Sequence, residues 1–324
     1  MAGSMTICWK ELADHLGSKR YIVLFALIVL LSTMSAYQGT QYMRTNTQTG
    51  FLNIFSGTQY GFSFISLMVF FGPIIGLALG FDAINKERTS GSLSTLLSQP
   101  IYRDSIINGK FIAGTMALSL LAASTVAIMC SVAIFSLGFG PTLTDVSRIV
   151  FFTLLTVLYL AFWLGLGLLF STVTKKTSTS ILMSISTWLF FSIVVTIMAA
   201  LVANTLVPIS IQPGQFNPGQ PGQPGQTQEY MELLQKRSSI QISIQRISPA
   251  NLYSEASSSI LGVVGGTSLG FLGVTGGGER FQQLGLTQGI LSTWPQIVAI
   301  AVGLIICFAA SYILFLRLEI RPGG

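Results

Sequence analysis

The chain has 324 residues, of which 51% are hydrophobic and only 9% are charged. Soluble globular domains carry about 25% charged residues, so this composition excludes that class and indicates a polytopic membrane protein. The net charge of +6 would favour a nucleic-acid partner in a soluble protein. Here, basic residues at the cytoplasmic ends of membrane spans explain the charge, and no nucleic acid is expected.

Residues that carry chemistry are scarce. The three cysteines, Cys8, Cys130 and Cys307, are odd in number, and two of them lie inside apolar runs, which argues against a disulfide framework or a metal site. The single His15 has no neighbouring ligands at metal-binding spacing. The sequence contains no GxxxxGK[ST] phosphate loop, no HExxH and no CxxC. We therefore predict no catalytic residue, no metal and no cofactor in this chain.

The first 20 residues predict an amphipathic helix. Trp9, Leu12, Ala13 and Leu16 recur at helical spacing, whereas Lys10 and its charged neighbours take the other side. Because Trp suits the headgroup level, we expect residues 1–20 to lie in the membrane interface. An ordinary cytoplasmic helix end is the alternative.

Six apolar runs predict six transmembrane helices, each close to the length of roughly 20 residues that crosses a bilayer. None contains Asp, Glu, Lys or Arg. The runs cover residues 21–37, 60–81, 111–137, 149–171, 179–203 and 294–316. Transporters driven by ion gradients usually keep ionisable residues within their spans, so energy is expected to come from a partner.

The distribution of basic residues predicts the orientation. With the N-terminus inside, eleven Lys and Arg residues fall on the cytoplasmic side, against only Arg44 and Arg148 in the short outer loops. The positive-inside rule then places both termini and the loop 82–110 in the cytoplasm. Residues 21–203 hold the first five spans with this loop, and residues 294–324 hold the sixth span and a short cytoplasmic tail.

Residues 204–293 predict a large extracytoplasmic, non-membrane region. It begins with Pro-Gly-Gln repeats, which indicate a flexible segment. Helices are expected over residues 228–246 and 249–261, and Pro249 suits the first turn of the second helix. The Gly-rich stretch 262–278 is either a membrane-surface hairpin or a loop. This region could also contact an extracytoplasmic partner.

Two further patterns predict contacts. Gly72, Gly76 and Gly80 form a small-residue stripe on the second span, which favours packing either against a neighbouring span or against a second copy of the chain. In the charged loop, Leu93, Leu96 and Leu97 share one face of a short helix that Pro100 ends. We expect this face to dock a partner protein, with packing beneath the chain's own spans as the alternative.

The charged loop also resembles the cytoplasmic signature of ABC-2 type transporter permeases. The matching residues are Asp82, Ile84, Glu87, Arg88, Gly91, Ser92, Leu93, Leu96, Leu97, Ser98, Pro100, Ile101, Arg103, Gly109 and Lys110. The resemblance extends to the N-terminal helix, to the segment 247–253 and to the end of the chain. It is greatest to permeases of the nitrous-oxide-reductase maturation and gliding-motility type. Thr89 and Ser92 depart from the usual pattern.

The resemblance implies a multi-pass permease subunit of an exporter in the plasma membrane of a prokaryote. Two copies would pair with two copies of a cytoplasmic ABC ATPase, which binds ATP and Mg. The loop would be the coupling helix that docks this ATPase. The implied docking residues are Asp82, Glu87, Arg88, Gly91, Leu93, Leu96, Leu97 and Arg103. Two alternatives stay open: a mechanotransmitting subunit that transports nothing, and a secondary transporter.

Overall fold

The computed structural model describes residues 2–45, 50–56, 63–91, 102–208, 224–263 and 286–317. Throughout these residues the regular secondary structure is helical. Six helices in this part of the chain are long and apolar enough to cross a membrane. The predicted all-α architecture with six spans is therefore confirmed for the described residues.

We number eleven helices along the described chain. They are α1 (Ala2–Leu16), α2 (Lys19–Thr45), α3 (Phe64–Gly80), α4 (Asn85–Thr89), α5 (Arg103–Leu137), α6 (Leu143–Val173), α7 (Thr177–Leu189), α8 (Val195–Leu206), α9 (Pro224–Gln245), α10 (Pro249–Leu261) and α11 (Leu286–Leu316). A 3-10 turn, Phe51–Phe55, precedes α3, and a π turn, Phe190–Val194, joins α7 and α8 into one span.

Most spans begin earlier than their apolar runs, and α5 and α11 do so by about two helical turns. Helix α5 starts at Arg103 and α11 at Leu286, whereas the apolar runs predicted starts at 111 and 294. In α5 the first turn contains Asp104, and an acidic side chain there is favourable because it faces the positive end of the helix dipole. Residues 103–110 of the predicted loop 82–110 are therefore the first turns of a span.

Helices α3 and α6 form the centre of the bundle. In the most apolar stretch of the second span, 72% of the residues are buried, against 11% in that of the sixth span. The glycine stripe makes this approach possible: a Cβ on Gly76 would lie 2.7 Å from the carbonyl oxygen of Leu160, and one on Gly80 would lie 2.6 Å from that of Leu164. A Cβ on Gly72 would meet Leu160 at 3.1 Å. The glycine stripe thus packs against a neighbouring span of the same chain, which is one of the two partners predicted for it.

Several aromatic side chains pack together at one end of the bundle. Phe55 packs on Phe64 and Phe152, with ring centroids 5.9 and 5.4 Å apart. At this end, which we call the far end, Arg44 donates a hydrogen bond to the carbonyl of Ser136, at the end of α5. The opposite end holds charged side chains of α1, α4 and the start of α5. We call it the charged end.

Helices α9 and α10 form a hairpin where the sequence predicted a non-membrane region. Both predicted helices are present, and Pro249 lies in the first turn of α10. Helix α10 is nonetheless buried between α6 and α11, with Tyr253 fully enclosed. Small residues permit this packing, since a Cβ on Gly289 would lie 2.8 Å from the carbonyl oxygen of Ser259. Helix α9 begins at Pro224 and so includes the last Pro-Gly-Gln repeat, 224–226, which the sequence predicted as part of a flexible segment. The earlier repeats and most of the Gly-rich stretch lie outside the described residues.

Candidate functional site

Helix α1 lies against the start of α5 at the charged end. Its buried face carries Ile7, Cys8, Glu11 and Leu12. Gly109 allows this close contact, because a Cβ there would lie 2.8 Å from Cγ2 of Ile7. Trp9 and Leu16 stay exposed, at 57% and 37%. The face predicted to be apolar is thus split: Leu12 contacts protein, whereas Trp9 and Leu16 point away from it.

A buried ion triad joins three elements of the charged end. The Nζ of Lys110, on α5, lies 2.7 Å from Oε1 of Glu87 and 3.1 Å from Oε1 of Glu11. The lysine side chain is only 3% exposed. Burial alone would raise the pKa of Glu11, but the ammonium groups of Lys110 and Lys10 lower it below its usual value. The triad fixes α1 and α4 to the beginning of α5.

A second ion pair ties the start of α2 to the end of α3. The guanidinium of Arg20 donates to Oδ2 of Asp82 at 2.7 Å and lies 5.5 Å from the centre of the Phe81 ring. The arginine is about half exposed, so solvent weakens the electrostatic part of the pair. The pair nevertheless holds Asp82, the first of the predicted docking residues, against α2.

Hydrogen bonds fix the same segment to α6 and α7. The backbone N–H groups of Ile84 and Asn85 both donate to Oγ of Ser171, at 3.0 and 3.1 Å. The fully buried side-chain amide of Asn85 lies 2.8 Å from Oγ1 of Thr174. Ser180, on α7, donates to the carbonyl of Phe81 at 2.7 Å. Residues 81–91, which we call the coupling segment, therefore contact α2, α5, α6 and α7, and Lys110 links them to α1.

The predicted docking residues lie in different surroundings. Asp82 and Glu87 are engaged in the ion pairs described above. Arg88 is half-buried on α4, and Arg103 is exposed at the start of α5. Gly91 has φ of +74°, a left-handed conformation that suits glycine and ends α4. Leu93, Leu96 and Leu97 lie outside the described residues, so their docking role stays a prediction.

A cleft of about 280 Å³ opens between α1, α2, α4 and α5. Charges of both signs and His15 line it; the charged residues are Lys10, Glu11, Asp14, Arg20, Asp82, Lys86, Glu87 and Lys110. Burial lowers the pKa of His15, with Lys110 adding to this and nearby carboxylates opposing it. In the described part of the chain, no group of three or more His, Cys, Asp or Glu residues could hold a metal ion. The side chains that line the cleft thus offer polar contacts of both charge signs.

Sequence reasoning missed several residues that organise this end. The sequence predicts Lys110 as a cytoplasmic basic residue of the loop and not as a buried one, and helical periodicity places Glu11 on a polar face. The roles of Asn85 and Ser171 had no sequence signal, because a serine near the end of an apolar run is common in membrane helices. A lysine and a glycine at the start of an otherwise apolar run were the available clue to the triad.

Comparison with known proteins matches nearly the whole chain to one family. The family described as ABC-2 family transporter protein matches residues 5–320. A protein named probable ABC transporter permease protein NosY, from Pseudomonas aeruginosa, is 35% identical over 115 residues, which are 36% of this chain and 40% of that protein. A protein of the same name from Stutzerimonas stutzeri is 33% identical over 114 residues, 35% and 39% of the two chains. The match thus spans about two fifths of the length of these curated relatives.

Proposed function

Because the chain belongs to the ABC-2 family of transporter proteins, membrane subunits that work with an ABC ATPase, we propose that it is the permease subunit of an ATP-driven exporter. ATP and Mg bind to a separate cytoplasmic ATPase. Two copies of this chain pair with two copies of that ATPase in the plasma membrane of a prokaryote. Both termini and the charged end face the cytoplasm, as the distribution of basic residues favours.

The observation that carries the proposal is the bonding of the coupling segment. Ion pairs join it to α2 and α5 through Asp82 and Glu87, and Lys110 links Glu87 to Glu11 on α1. Ser171 and Ser180 join it to α6 and α7. A rigid connection of this kind transmits a displacement, because packed elements move as units rather than deform continuously. When the ATPase dimer closes on ATP, a push on this segment reaches the spans on either side of it.

Within the segment, we assign the direct polar contact with the ATPase to Arg88. Glu87 is held by Lys110 inside the chain, whereas Arg88 lies on the same short helix with a partly exposed side chain. The leucines Leu93, Leu96 and Leu97 supply the apolar contact that follows it. A charged residue beside an apolar helix face is the usual composition of a helix that docks into a groove.

Co-purification of the chain with its ATPase tests this assignment. Arg88→Glu is expected to weaken the association by about tenfold or more, since a charge reversal at a contact costs several kcal/mol. Lys86→Glu is the matched control, because Lys86 is exposed on the same helix and carries the same charge. Equal retention of the ATPase by both variants contradicts the docking assignment.

Reconstituted vesicles test the transport function. The permease alone is expected to show no ATP hydrolysis, and the complex is expected to couple hydrolysis to the outward movement of substrate. A flux driven by a proton or sodium gradient without ATP contradicts the proposal. Hydrolysis that drives no flux of any substrate would favour the mechanotransmitting alternative instead.

A further inference from the structure

The turn between α9 and α10 reaches the middle of the bundle. Ser248 donates a hydrogen bond to the carbonyl of Phe191 at 2.8 Å, and Phe191 lies at the midpoint of the span Thr177–Leu206. Further along α10, the ring of Tyr253 stacks on that of Tyr159, near the midpoint of α6, with centroids 4.3 Å apart. The hairpin therefore enters the bundle to about half its depth.

An ion pair lies at this depth. The guanidinium of Arg246 makes two hydrogen bonds to Glu255, with Nε 3.1 Å from Oε2 and NH2 2.5 Å from Oε1. Glu255 is two helical turns from Ser248, a rise of about 10 Å. Half of the hydrocarbon layer is about 15 Å thick, so both charges fall inside it. The Arg246 side chain is 51% exposed on the surface of the chain.

An exposed guanidinium at this depth is incompatible with lipid chains as its surroundings. Charged side chains within the membrane face a bundle interior or a water-filled cavity. Helix α9 agrees with such a wet surface, because Ser243, one turn before Arg246, is also exposed. Ile247, the next residue, is 66% exposed. The surface thus places a cation, a hydroxyl and an apolar side chain next to one another.

We propose that Arg246 binds the anionic headgroup of an amphipathic molecule in a water-accessible site half-way across the membrane. A guanidinium matches a phosphate or carboxylate with two parallel hydrogen bonds, as it does with Glu255 now. Glu255 neutralises the arginine while the site is empty, and the ligand's headgroup displaces it. Ile247 contacts the ligand's apolar chain. As a substrate site, it rests on the proposed permease function.

Thiol accessibility tests whether water reaches the site. The chain, with its three native cysteines changed to Ala, is placed in phosphatidylcholine nanodiscs and treated with a charged, water-soluble thiol reagent. Ser243→Cys is expected to react at least about tenfold faster than Ile305→Cys, because a thiol in lipid is kept protonated and the thiolate is the reactive form. Ile305 is 64% exposed on α11. Equal rates for the two variants would overturn the proposal.

Protection by amphiphiles tests the charge of the ligand. Dodecyl phosphate is expected to slow the labelling of Ser243→Cys several-fold, whereas dodecyltrimethylammonium has no effect. Protection is lost in Arg246→Gln, and Glu255→Gln lowers the protecting concentration by about tenfold, which is about 1.4 kcal/mol. Equal protection by both amphiphiles, or protection that survives Arg246→Gln, refutes the assignment. Equal protection by inorganic phosphate overturns an amphipathic ligand. No ATPase is present, so these outcomes are independent of transport.

Discussion

Lys110→Met is the sharpest test of the charged end. The substitution keeps the length and the apolar stem of the side chain but removes the ammonium group between Glu11 and Glu87. Loss of one partner from a buried ion pair costs about 3–5 kcal/mol, because a charge is left without compensation. The two carboxylates keep 11% and 15% exposure, so water relieves part of the loss. We expect about 3 kcal/mol, which is more than a hundredfold in the folding equilibrium.

Reversible unfolding in mixed micelles measures this change. Lys10→Met is the control, since Lys10 pairs with Glu11 but is 57% exposed, and such surface pairs contribute about 0.2–1 kcal/mol. The triple variant with Glu11→Gln, Glu87→Gln and Lys110→Met removes all three charges and is expected to recover most of the stability. If Lys110→Met loses no more than Lys10→Met, or if the triple variant regains nothing, the buried triad does not hold α1 and α4 in place.

Three more predictions concern the same framework. Gly76→Ala is expected to lower the free energy of unfolding by about 1–3 kcal/mol, because the added Cβ would press on the backbone of α6. Gly140→Ala is the control, since Gly140 has open space around it and the substitution should be neutral. Thermal unfolding in detergent compares the two variants. Ser171→Ala leaves two backbone N–H groups of the coupling segment without an acceptor, which costs about 1–3 kcal/mol; the exposed Ser131→Ala is its control, and equal melting temperatures would contradict the contact. The lowered pKa of Glu11 contributes stability that is present above its unfolded pKa of about 4.3 and is lost as the pH falls towards the folded value. When unfolding is measured from pH 6 to pH 3, Glu11→Gln should lose less stability than the unsubstituted protein.

The six spans were predictable from sequence because apolar length alone determines them. The ends of the spans were less predictable, since Arg103 and Asp104 are polar yet begin α5. Hydropathy also gave no sign that α10 packs within the bundle, because its serines have low hydropathy but are small enough to pack closely. Ser257 is fully buried there, in a segment whose composition predicted a region outside the membrane.

The charged end was predictable as a region but not as a set of contacts. Its charges and its resemblance to permeases singled out the loop that contains Asp82 and Glu87, two residues that form ion pairs in the structure. The partners of those charges come from far along the chain: Glu11 and Lys110 meet only because α1 packs on α5. Helical periodicity cannot supply such information, since it relates only residues of one helix. The glycine stripe was recognised, but its partner helix α6 could not be chosen from the sequence.

The π turn Phe190–Val194 gives the fifth span one place where its residue count can change. A π turn takes one residue more than an α turn, whereas each residue of a regular α-helix advances the side chains by about 100°. Deleting a single residue within the π turn would therefore leave a regular α-helix, with α8 close to its present orientation. The same deletion in the α-helical part of α7 would rotate α8 by about 100°, and the face of α8 that holds α9 would turn away. Two deletions that change the hydropathy of the span equally little would thus differ in their effect on the packing of α9.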